Sequence, residues 1–209
     1  MKKNREEIAN SLTHAIGIIF SIFALVYLSI IAIKSGDLYY LISSIIFGVT
    51  MMLLYSMSTI YHSLRDIELK QIFRKFDHSA IFLFIAGSYT PFTLVTLRES
   101  SYWGWSIFGI VWIAAILGTL ISLRSISGGL IKTACYLLMG WLVTVAFKPL
   151  NEALAERPEV LYWLALGGIS YTIGAVFYAL SRYKYMHTIW HLFVLSGSFC
   201  HFMAVKYII

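Results

Sequence analysis

The chain has 209 residues, of which 59% are hydrophobic and only 12% charged, with a mean hydropathy of +0.78. Soluble domains carry about a quarter charged residues, so this composition excludes a soluble globular protein and specifies a polytopic membrane protein. The net charge of +6 is accompanied by no RNA-binding motif or basic tail, which leaves membrane topology as its reading and argues against nucleic acid.

A bilayer-spanning helix needs about 20 apolar residues. Hydrophobic runs between charged breaks predict seven spans, at 14–33, 39–62, 77–97, 103–122, 130–147, 159–180 and 187–207. With short loops they use nearly the whole chain, so an all-α fold is expected, with residues 1–209 forming a single seven-helix membrane domain. The basic segment "MKKNREEIANSLTH" before the first run superficially resembles a signal peptide. The run at 15–33 has full spanning length, however, and no small-residue cleavage site follows it, which predicts an uncleaved first helix. In the third span, "GSYTPF" carries Pro91, which is expected to kink the helix. The fifth span is short and ends at "FKP". Cys135 and Cys200 both lie inside hydrophobic runs and read as packing residues.

Orientation follows from the lysines and arginines. The N-terminus and the second, fourth and sixth loops hold 11 of the 16, and the opposite set of segments holds 5. The N-terminus is therefore expected in the cytoplasm and the C-terminus outside, in a multi-pass protein of a bacterial inner or plasma membrane.

With that direction, five of the six histidines fall at one depth. Span 1 begins there with His14, span 2 ends there with Ser58 and His62, span 3 begins with Asp77 and His78, and span 7 begins with His187 and His191. Asp77 is the only aspartate within the predicted spans. Intramembrane ionisable residues are costly and usually face the bundle interior, so a shared depth makes a shared site. His187 and His191, at i and i+4 in "HTIWH", reach one metal ion as the two histidines of a helical H-E-x-x-H motif do, although the intervening Glu is missing. His62 is the natural third ligand. Three neutral nitrogens plus a water make an open zinc site of the catalytic type, and Asp77 is positioned to hold that water and take its proton.

The simpler reading of any one intramembrane histidine is a hydrogen-bonding interior group, and it is retained for the others. His14, at a helix start, is expected as an interfacial or supporting group. His78 lies about 100° around the helix from Asp77, so the two should not address one ion. His201 is roughly 15 Å beyond His191 along the helix and too far to join. Ser58 lacks a G-x-S-x-G setting and reads as a hydrogen-bonding neighbour of the site.

The segments "EIANSLTH", "STIYHS", "KFDHSA" and "HTIWH" together resemble the progestin and adipoQ receptor superfamily, specifically its bacterial hemolysin III branch, over essentially the whole chain. The resemblance implies a seven-helix fold with a cytoplasmic N-terminus. It implies zinc on His62, His187 and His191, Asp77 acting through water, and Ser58 at the motif serine. Members of the wider grouping are associated with ceramide hydrolysis. Two departures limit the transfer. The long N-terminal region of the adiponectin receptors is missing, so their signalling is not carried over, and position 78 is His where the receptors have Tyr.

Four functional readings follow. A zinc-dependent intramembrane hydrolase, cleaving a lipid amide or acyl bond of a membrane lipid, fits the open site with its carboxylate. A cytolysin fits the branch name but not a seven-span, positive-inside chain. A metal transporter lacks the acidic steps a through-path needs. A receptor-like sensor with a structural zinc shares the fold, and the oligomeric state is not encoded legibly.

Overall fold

The computed structural model describes residues 2–100, 102–125 and 129–208. Among these described residues, eight α-helices build seven spans: α1 (Lys2–Ser35), α2 (Leu38–Ser63), α3 (Ile67–Pro91), α4 (Trp103–Arg124), α5 (Gly129–Gly140), α6 (Phe147–Ala153), α7 (Pro158–Ala179) and α8 (Met186–Lys206). Among the described residues, seven segments are long and apolar enough to cross a membrane, the fifth being the composite Gly129–Ala153.

Several helix ends differ from the hydropathy reading. The first helix runs back to Lys2 instead of starting at 14, and the third starts at Ile67 instead of 77. Both extensions are charged turns that a hydropathy reading assigns to loops, yet they continue the helix. Asp66 fixes the start of α3 by accepting from Leu69 N at 2.8 Å, and Asp37 likewise caps α2 through Tyr39 N at 2.7 Å. The fifth span continues past 147 to Ala153. It is broken by a 3-10 stretch at Trp141–Ala146, after which Pro149 sits in the first turn of α6, where no intrahelical N–H is required.

Pro91 ends α3 and is followed by a π-helical turn, Phe92–Thr96, closed by Leu97 N to Phe92 O at 2.8 Å. The expected kink therefore takes the form of a wider turn. Thr90 and Thr93 hydroxyls donate to the carbonyls of Ala86 and Tyr89, satisfying main chain near the proline.

The helices close on themselves. Contacts run α1–α2, α2–α3, α3–α4, α3–α5, α5–α7, α7–α8 and α8–α1. In its most apolar window α3 is 72% buried against 28% for the first span, so α3 is the innermost helix and α1 faces outward on most of its surface. That outer face carries exposed Ile16, Ile19, Phe23, Val26 and Ile30, as lipid contact requires. Inside, α1 and α2 approach closely: a Cβ on Gly17 would fall 2.3 Å from the Tyr55 ring, and one on Gly48 2.6 Å from Leu25 Cβ. Small residues at such crossings let backbones meet where no hydrophobic driving force exists between helices.

Candidate metal centre

Because consecutive spans alternate in direction, the start of α1, the end of α2, and the starts of α3 and α8 share one end of the bundle. His62 reaches inward from the last turn of α2, and His187 and His191 from the first turns of α8. Each offers a ring nitrogen, and the three lie within 4.8 Å of one another. Ring centroids are 5.0 Å apart for His62–His191, 5.1 Å for His62–His187 and 4.6 Å for His187–His191.

The outer nitrogens are held by α1. His62 Nδ1–H donates to Glu7 Oε2 at 2.8 Å, and Glu7 also pairs with Lys70 Nζ at 2.9 Å. His191 Nδ1–H donates to the Asn10 carbonyl at 3.1 Å. A carboxylate or carbonyl only accepts, so both rings carry their proton on Nδ1 and keep the Nε2 lone pair for the centre. Such outer hydrogen bonds fix ring orientation and ligand basicity at metal sites. His62 Nε2 itself is buried with no hydrogen-bond partner, which is the condition a ligating atom meets before its ion. The residues fit a metal ion: a buried cluster of three imidazoles that could bind one.

His14 is buried and stacks on His191 at 3.6 Å with 19° between planes, and Tyr55 meets it edge-on at 5.1 Å. It lies outside the three-histidine group and backs His191 from behind. Asp77 and Ser58, both buried, lie together, the serine hydroxyl within bonding reach of the carboxylate and His62 close enough to act on it electrostatically. His78 is buried beside Asp77 and also stays outside the group. His201 lies farther along α8, edge-on to Tyr171 at 5.3 Å and seated against Gly167, where a Cβ would come 2.3 Å from its ring.

A cavity of about 240 Å³ links these groups. Asp77, Ser58, His14, His78, His187 and His191 line one end, and His201 lies in its wall with Val194, Leu161, Leu164 and Tyr171. Most of the wall between is aliphatic or aromatic.

Sequence reading missed the contribution of α1 before residue 14. Glu6 accepts from Tyr185 N at 2.9 Å, and Tyr185 takes a left-handed conformation (φ 64°) just before α8. Asn10 Oδ1 accepts from the Thr188 hydroxyl at 2.5 Å. The available signal was the spacing 7, 10, 14, which puts Glu7, Asn10 and His14 on one helical face.

Fold and centre together define a class: a seven-span integral membrane protein with a buried histidine cluster at one end of its bundle. Comparison with known proteins narrows this. The family described as "Haemolysin-III related" matches residues 2–202, and the chain belongs to it. The chain is 44% identical over 204 residues to "Hemolysin-3" of Bacillus cereus, covering 97% of this chain and 91% of that protein. It is 43% identical to "Hemolysin-3 homolog" of Bacillus subtilis (strain 168), covering 97% and 94%. The human "Monocyte to macrophage differentiation factor" is 30% identical, covering 97% and 84%. The chain is thus a multi-pass cell-membrane protein of the hemolysin III branch that its four motifs resemble.

Proposed function

We propose that the protein is a zinc-dependent intramembrane hydrolase of lipid amide, ceramide-like, or acyl bonds. The observation that carries this reading is the convergence of His62, His187 and His191 within 4.8 Å, with His62 Nε2 buried and unpartnered and with His187 and His191 lining an apolar cavity. His62, His187 and His191 would hold the ion. When bound, zinc supplies a Lewis acid that polarises a carbonyl and acidifies water.

The chain's own groups do the rest. Asp77 accepts a proton from the attacking water as its oxygen forms a bond to the acyl carbon. The scissile C–N or C–O bond breaks, and Asp77 returns that proton to the departing amine or alcohol. Ser58 donates to Asp77 and keeps the carboxylate turned toward the site. The apolar walls take the acyl chain and exclude bulk water, which strengthens each polar contact.

The test has two parts. Purified wild-type protein should carry stoichiometric zinc by elemental analysis and His191→Ala should lose it; retention in the variant overturns the metal assignment. Asp77→Asn should keep zinc and lose about a hundredfold or more in turnover of a lipid-amide and lipid-ester panel. Equal turnover by both proteins overturns the catalytic reading and leaves a structural zinc, as in a receptor-like sensor. The name of the Bacillus cereus relative, "Hemolysin-3", supports a competing reading, a pore-forming cytolysin. Selective conductance in liposomes that survives loss of all three histidines would establish that one instead.

A further inference from the structure

The α3–α5 wall of the cavity carries charge that the hydrolytic reading does not use. Lys132 of α5 is only 7% exposed and lines the cavity. Its ammonium donates to Ser125 O at 2.7 Å, at the end of α4, and has two further protons to give. Across from it on α3, His78 is 8% exposed, lines the same cavity, and has its Nδ1 buried with no hydrogen-bond partner. Arg74 stands one helical turn before His78 on the same face and is near enough to act electrostatically on both His78 and Lys132. No ion pair joins Arg74 or Lys132 to a carboxylate among the described residues; the carboxylates of the recorded pairs are Glu7, Asp37 and Glu99.

Unpaired cations at a membrane interface ordinarily reach outward to water or headgroups. Lys132 does the reverse: it is buried against an apolar chamber. Taking a charge out of water without a counter-ion is expensive, and the cost is recovered only when an anion arrives. A Lys ammonium with a neighbouring ring N–H provides the charge-assisted donors that phosphate oxygens accept. The wall is held firmly, since the Tyr136 hydroxyl donates to the His78 carbonyl at 2.9 Å and ties α5 to α3.

We infer that Lys132 and His78 form a phosphate-binding subsite in the cavity wall, with Arg74 adding positive charge from one helical turn away, so that the amphiphile taken up there carries a phosphate group as well as an acyl chain. This rests on the hydrolase reading only for what happens afterwards; the subsite binds whether or not the bond is cleaved. Asp77, next in sequence to His78, would then lie beside the junction between headgroup and chain.

Native mass spectrometry of the purified full chain with oleoyl lysophosphatidate and oleoyl monoacylglycerol separates the possibilities. Wild type should prefer the phosphate lipid by about tenfold or more, the strength of a charge-assisted contact. Lys132→Met and His78→Phe should each remove most of that preference while keeping the zinc content of wild type, and Lys132→Arg should retain it. Competition by inorganic phosphate supports the subsite and shows that the anion suffices; tight lipid binding without such competition supports it with the chain required. Equal binding of the two lipids by wild type, or an unchanged preference in Lys132→Met, overturns the inference. Loss of zinc in His191→Ala bears only on the metal, so failure of one proposal is distinguishable from failure of the other.

Discussion

At the scale of single residues, Glu7 shows how an atom outside a candidate ligand set can govern it. Its carboxylate sits between His62 Nδ1 and Lys70 Nζ, at 2.8 and 2.9 Å, and fixes both the tautomer and the tilt of the ring. If the proposed centre holds zinc, replacing the charge while keeping the shape, Glu7→Gln, should weaken its binding about ten- to a hundredfold. Competition against a chelator of known affinity measures this, and an unchanged affinity would remove Glu7 from the site. His62, His187, His191 and Asp77 were legible because their spacing and their positions along oppositely running spans give one depth. Glu7 was not, since in "KKNREE" a carboxylate reads as part of a solvated charged segment. Asn10 was harder still: it serves His191 with its main-chain carbonyl, which every residue type possesses.

At the scale of elements, the number and order of spans follow from hydropathy, but the ends of α1 and α3 do not. A hydropathy window registers lipid contact, and both helices continue beyond it as charged turns, which meet where Lys70 of α3 pairs with Glu7 of α1. The same limit hides how closely two helices approach. Gly17 lets α1 lie on the Tyr55 ring, which meets His14 edge-on and donates to the Ser198 hydroxyl at 2.7 Å. Gly17→Ala should therefore cost about 1–3 kcal/mol by overpacking. The melting temperature in detergent should fall by several degrees. In a Tyr55→Leu background the same substitution should cost much less, a coupling that a double-mutant cycle reads directly. Equal losses in both backgrounds would show that the glycine serves some other contact.

At the scale of the whole molecule, the three histidines come from helices far apart in sequence, and an ion between them would join α2 to α8 across α1. Anything bound to the folded state alone stabilises it by mass action, about 2.7 kcal/mol at a hundred times the dissociation constant. Chelation should lower the wild-type melting temperature and added zinc restore it, whereas His191→Ala should melt at one temperature in both conditions. A chelator-sensitive melt in that variant would place the ion elsewhere.

The apolar lining of the cavity has a consequence for selectivity. An acyl chain that enters it from the surrounding leaflet leaves one hydrocarbon phase for another, so the transfer releases almost no ordered water and contributes little free energy. Chain length should then discriminate weakly among lipids already in the bilayer. Discrimination falls to the handful of polar atoms in the wall, and a change of one hydrogen-bonding group on the ligand should matter more than several methylenes.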